Sequence, residues 1–299
     1  MSRRTTGIAI AFVTACISGV SIWVNSHAVA HFGDATVYTT AKNAVAGLLL
    51  LALALPLLRR TGGDGATPLP RSRRPALLAI AVVGGSVPFV LFFEGLARAQ
   101  ATQASFIQKT LVIWVALLAI PIRRERIGPA HVAAITFVIA GQAVLAGSAG
   151  TVVFGTGEAM ILAATLLWAV EVLLAKRLLD DVAVRVLAVA RMVLGTLLLL
   201  GWLVLSGRAD DFVSLTASQW SWALLTGLLL AAYVATWYAA LARAQCVDVT
   251  AVLVFGAVVT AFLANATDGV AFDGLGVVLV CVGVALAAVA GSRPRLRAA

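Results

Sequence analysis

The chain has 299 residues, 62% of them hydrophobic and only 12% charged, with a net charge of +9. A soluble fold carries roughly 25% charged residues, so too little polar surface exists to coat a water-soluble particle, and a bilayer must solvate most side chains. Inside a bilayer only helices or closed barrels satisfy the backbone, and continuous apolar runs of about twenty residues predict helices, not the alternating segments of a barrel.

Ten spans are predicted, at about 7–25, 35–58, 76–97, 101–121, 130–147, 158–176, 184–206, 220–241, 247–266 and 272–290. The first follows Arg3 and Arg4 and ends near Ala28-Val29-Ala30, which resembles a cleavage site. Its apolar stretch is longer than a signal-peptide core, so it is expected to remain as a helix. Span two carries Lys42 beside Thr36, Thr39, Thr40 and Asn43. The connection from Arg59 to Arg74 holds Gly62, Gly63, Gly65, Pro68 and Pro70 and reads as a flexible loop. Span three has Gly84, Gly85 and Pro88, which predict close packing and a kink. Glu94 follows, with Arg98 four residues on, the spacing of a helical ion pair. Span four places Lys109 near its middle, next to Gln108, with Thr102 and Ser105 on the same stripe. After span five a glycine-bearing linker, 148–157, joins the halves. Span six carries Thr165, Trp168 and Glu171, span seven Arg191, and span eight Tyr233, Trp237 and Tyr238. Asp248 opens span nine and is expected to cap it. A basic tail, 292–299, ends the chain.

Charge placement predicts orientation. With the N-terminus cytoplasmic, the inner loops and ends receive 17 of the 22 basic residues, and the outer loops only Arg98 and Arg208. This is the positive-inside pattern, and it predicts both chain ends in the cytoplasm of a bacterial inner membrane. The basic charge is therefore topogenic and attracted to anionic lipid, and no nucleic-acid partner is expected. Cys16, Cys246 and Cys281 read as small packing residues. His27 and His31 have helical metal-pair spacing but no third ligand nearby, so no metal is expected. No cofactor is called for, and a homodimer is compatible with the sequence.

The chain also repeats. Residues 96–100 read LARAQ and so do 241–245, a distance of 145 positions. An aromatic doublet precedes each copy, Phe92-Phe93 and Trp237-Tyr238, and an apolar span follows each. Five spans per half is an odd number, so the halves must insert with opposite orientation, the architecture of many secondary transporters. The expected units are 1–147 and 158–291, an all-α membrane protein of ten helices in two inverted five-helix repeats.

Charges inside spans cost about 2.5–3.5 kcal/mol each at the bilayer centre. Lys42, Lys109 and Arg191 are therefore expected to face a wet interior, be paired, or snorkel. For Lys42 snorkelling competes with a cavity role; for Glu94, an interfacial pair with Arg98; for Glu171, a pair with Lys176 or Arg177; for Arg191, neutralisation of Glu171. Tyr233 is expected on the cavity wall, and Trp237 on the wall or in an aromatic belt. The candidate solute-binding set is Lys42, Asn43, Glu94, Gln108, Lys109, Trp168, Glu171, Arg191, Tyr233 and Trp237.

Residues 122–147, IRRERIGPAHVAAITFVIAGQAVLAG, taken with the two LARAQ segments, resemble the EamA-type members of the drug/metabolite transporter superfamily. Glu125 matches the glutamate that follows the fourth helix in that family, and Gly141 the glycine of the fifth. The second repeat departs from the pattern: the nearest acids are Asp268 and Asp273, and the proline often found midway in helices four and nine is missing. The resemblance implies transport without ATP, often export of amino acids and other metabolites, through a cavity lined by helices one to four and six to nine. The combined expectation is a carrier for a small polar solute, amino-acid-like or otherwise anionic or zwitterionic, that is not an enzyme. A membrane-embedded enzyme on lipid-linked substrates would need a cluster of His, Ser or acids at one face. A channel or sensor would show conductance or signalling in place of solute flux.

Overall fold

The structure is a computed structural model that describes residues 2–60, 71–96, 98–99, 101–123, 125, 127–147, 154–269, 271 and 273–292. The 61–70 loop, most of the linker, Arg124, Arg126, the basic tail after 292 and the side chains of Arg59, Arg60, Arg71, Thr102 and Ser105 lie outside what is described.

The described residues form helices and no strand. The main helices are α1 (Arg3–Val29), α2 (Ala35–Arg60), α3 (Arg74–Leu96), α4 (Ala101–Lys109 continued by Leu111–Arg123), α5 (Pro129–Leu145), α6 (Thr156–Leu178), α7 (Val184–Leu205), α8 (Ala217–Leu241), α9 (Cys246–Asp268) and α10 (Gly274–Ser292). Nine of these, all but α5, are long and apolar enough to cross a membrane; α5 is equally apolar but has 17 residues. Their starts follow local chemistry. Ser2 accepts the Thr5 N–H at the head of α1, and Thr216 and Gln219 cap α8 reciprocally. Pro129 opens α5, where its missing N–H costs nothing. A short helix, Ala209–Val213, lies between α7 and α8.

Polarity is distributed inside out relative to a soluble protein. Leu48, Leu53, Leu117, Leu224, Leu228 and Val278 are exposed on the outside, whereas Thr14, Thr39, Asn43, Thr165, Glu171 and Arg191 are buried. An apolar solvent around the bundle explains both facts.

Four helices are irregular. α3 is π-helical over Ala81–Ser86 and α7 over Ala190–Leu194. The kink expected from Gly84, Gly85 and Pro88 thus takes the form of a widened helical turn. The two widened turns touch: a side chain on Gly85 would collide with the Arg191 carbonyl, and one on Gly195 with the Gly85 backbone. α4 breaks at Thr110, whose N–H bonds back to Ile107, and α9 breaks at Val254 and Phe255. Neither break was expected, since no proline or glycine occupies 110, 254 or 255.

Packing pairs the two halves. α1 lies on α8 and α9, α6 lies on α3 and α4, and α5 lies on α10. Gly7 of α1 abuts Ala244, and Gly157 of α6 abuts Ala99, the matching alanines of the two LARAQ segments. Gly141 and Gly276 bring α5 and α10 together, the tail of one against the head of the other.

Candidate solute cavity

A cavity of about 250 Å³ lies between the helices, with walls from α1 to α4 and α6 to α9. It is mostly apolar. Phe92 and Trp168 meet at 5.5 Å between ring centroids, Phe89 and Trp168 at 5.7 Å, and Tyr233 stacks on Trp237 at 6.0 Å. Into these walls the bundle sets three cations and one acid.

Lys109 closes the first segment of α4 and is 7% exposed. Among the described residues its ammonium has no hydrogen bond or ion pair, and it faces the cavity. Lys42, on α2, is 4% exposed and caged by aromatic rings, 4.2 Å from the Phe93 centroid and 5.1 Å from that of Tyr38. This is a cation–π environment with one polar partner, the Asn25 Oδ1 at 3.3 Å. Asn25 also accepts from the Tyr38 hydroxyl, which fixes that amide.

The third cation and the acid meet at the π-helical turn of α3. Arg191 donates from Nη2 to the Gly84 carbonyl at 3.0 Å, while its Nε and Nη1 are buried without a partner. Glu171 is 2% exposed and accepts the Tyr238 hydroxyl at 2.5 Å. Gly84 leaves room for both: a Cβ there would strike the Glu171 side chain and come within 3.2 Å of Arg191 Nε. Trp168 Nε1 reaches the same Gly84 carbonyl at 3.4 Å. Arg191 and Glu171 form no ion pair within 4.0 Å, so the expected direct neutralisation gives way to an arrangement around the Tyr238 hydroxyl.

Eight of the ten candidate residues line the cavity: Lys42, Gln108, Lys109, Trp168, Glu171, Arg191, Tyr233 and Trp237. Two do not. Asn43 faces away along α2 and donates to the Thr39 carbonyl at 2.6 Å. Glu94 sits at the end of α3 in a surface network: it takes Arg98 at 2.8 Å, Thr36 at 2.8 Å and Arg208 at 3.1 Å. Arg208 also meets Asp34 at 2.8 Å. Desolvation opposes the Arg208 charge, but its bonds to Asp34 and Glu94 prevail and move its pKa upward. The sequence reading missed Ser18, Ser21 and Asn25 of α1, which also line the cavity. Their i, i+3, i+7 spacing was the signal that could have found them.

The cavity reaches Ser26 and Leu96, in the last turns of α1 and α3. The opposite end is bonded shut. Glu125 is 8% exposed and accepts the backbone N–H groups of Cys246 at 2.9 Å and Val247 at 3.3 Å, so a carboxylate from the first half caps α9 in the second. Lys176 donates to the carbonyls of Leu241 and Ala244. It has no ion pair with Glu171. Arg3 donates to the Ala242 carbonyl at 3.0 Å. Asp248 does not cap α9 as expected; it lies inside the first turn, 3.1 Å from His131 Nε2 on α5.

An apolar helical bundle enclosing a polar-studded cavity marks a multi-pass membrane protein. Residues 5–147 and 155–289 match a family described as the EamA-like transporter family, and the chain belongs to that family. The fold also resembles a solved structure described as "Crystal structure of protein", with a TM-score of 0.78 and 19% sequence identity, covering 96% of this chain and 100% of the other. No curated protein matches the chain.

Proposed function

We propose that the protein is an alternating-access carrier for a small polar solute, amino-acid-like or otherwise anionic or zwitterionic, acting as an exporter in a bacterial inner membrane. In this reading ten helices cross the bilayer as two inverted repeats, 1–147 and 158–291, with both chain ends cytoplasmic. The paired contacts of α1 with α8 and α9, and of α6 with α3 and α4, support the repeat, as do the matched Gly7–Ala244 and Gly157–Ala99 contacts. The end sealed by Glu125 and Lys176 is then the cytoplasmic gate, held closed, and the cavity opens toward the outside.

The observation that carries the reading is Lys109: a deep ammonium group facing a cavity with no described protein partner. So costly a group is retained where a ligand or water compensates it. Lys109, with Lys42, would take the anionic group of the solute; Trp168, Tyr233 and Trp237 would hold its body. Gln108 adds a neutral polar contact, and Glu171 could hold a coupling proton if transport is proton-driven. The test is solute counterflow in proteoliposomes, surveyed over amino acids and organic acids. Lys109→Ala should abolish the flux seen with the parent protein. Parental flux at normal expression would remove Lys109 from the site.

A further inference from the structure

The charges inside the cavity do not balance, and the imbalance names the solute's charge type. Three cationic side chains line it, Lys42, Lys109 and Arg191, against one acid, Glu171. That acid holds the Tyr238 hydroxyl on its Oε1 and offsets one cation, so two positive charges remain in surplus. Hydrogen-bond donors are in excess as well. The Lys109 ammonium has no described partner, Lys42 has one, and two nitrogens of Arg191 are buried without any. Buried polar groups normally find partners, and buried charges are paired or neutralised. What is missing is therefore negative charge, because the other acceptors on the wall, among them Ser18, Ser21, Ser26 and Gln108, are neutral. An ammonium group entering this space would meet three like charges against one carboxylate. Elsewhere on the wall, Phe89, Phe92, Trp168, Tyr233 and Trp237 offer ring surface to an apolar body. A volume of about 250 Å³ lies at the small end of ligand pockets, so the guest is small.

We infer that the solute is a small organic anion with an apolar, preferably aromatic, body and no ammonium group, and that the cavity selects against the matching zwitterion. This rests on the carrier reading for its physiological meaning but concerns binding alone. The carboxylate would take the Lys109 ammonium, with Lys42 and the free Arg191 nitrogens supplying the surrounding positive field, and the body would lie along the rings. No covalent step is involved.

The experiment uses three probes of one shape and three charges: 3-phenylpropionate, phenylalanine and phenethylamine. Binding to the purified full-length protein in nanodiscs is followed by tryptophan fluorescence, since Trp168 and Trp237 line the cavity. The expected result is saturable binding of 3-phenylpropionate at least tenfold tighter than phenylalanine, with none for phenethylamine. Lys109→Gln should weaken the anion tenfold or more. Lys42→Gln serves as a second variant should the first fail to fold. Equal or tighter binding of phenylalanine or phenethylamine overturns the inference, and so does the absence of saturable binding by all three. Proteoliposome flux of the same probes separates the two readings. Anion binding without flux leaves the inference standing and removes the carrier; equal flux of all three keeps the carrier and removes the inference.

Discussion

Replacing Glu125 with alanine should loosen the sealed end of the bundle. The carboxylate accepts two backbone N–H groups at the start of α9, at 2.9 and 3.3 Å, and is 8% exposed. Hydrogen bonds to a charged group are worth about 1.5–3 kcal/mol each. The pair therefore favours the closed arrangement by about 3 kcal/mol at the lower figure. At about 1.4 kcal/mol per decade that is on the order of a hundredfold in population. The chain carries its own reporter: Cys246, the first residue of α9, is fully buried. In a Cys16→Ser, Cys281→Ser background, its labelling by a small maleimide reads opening of this end. Glu125→Ala should raise the labelling rate on the order of ten- to a hundredfold. Glu125→Gln, which keeps an acceptor but loses the charge, should fall between. Unchanged labelling in both variants, with intact folding, would show that this carboxylate does not hold the gate.

Three further outcomes are expected. Gly85→Val should drive apart α3 and α7, because its Cβ would meet the Arg191 carbonyl. An overpacking cost of about 1–3 kcal/mol predicts a clear fall in the thermal unfolding midpoint in detergent, and an unchanged midpoint would contradict the contact. Tyr238→Phe removes the one hydrogen bond that the described residues make to the buried Glu171 carboxylate and should destabilise by about 1.5–3 kcal/mol, read by the same melt. Arg208→Ala breaks contacts to Asp34 and Glu94 that are about a quarter exposed, so its cost should be no more than about 1 kcal/mol and should shrink in high salt; a large, salt-independent loss would mean the network acts as a buried one.

Much of the fold was legible because membrane solvation leaves a strong trace. A charge inside a twenty-residue apolar run, as with Lys109 or Arg191, must be accommodated, and the structure turns both inward. The doubled LARAQ segment showed the repeat, and the structure adds that its Ala99 and Ala244 meet Gly157 and Gly7. Partnerships were harder to read. Lys176, five residues from Glu171 and on the same helix, bonds instead to carbonyls of the α8–α9 connection, a choice decided by tertiary proximity. Asn43 carries the same polarity as its neighbour Lys42 but points along its own helix. One residue of helical rotation, about 100°, separates wall from backside. Glu125 was visible only through family resemblance, since nothing local indicates that a loop carboxylate will cap a helix 121 positions away. The break at Thr110 had no breaker residue to announce it.

The interruptions of α4 and α9 carry one more implication. They fall at Thr110 and at Phe255, the same 145-position stride that separates the LARAQ copies. Each half thus has a helix break beside the cavity, at equivalent places in the two repeats. If the proposed carrier alternates between two shapes, breaks at equivalent places would let it trade bends between the halves, so neither shape need be much the costlier. A bias between them then comes from whatever the halves do not share, and the carboxylate at 125 has no glutamate or aspartate opposite it at 270.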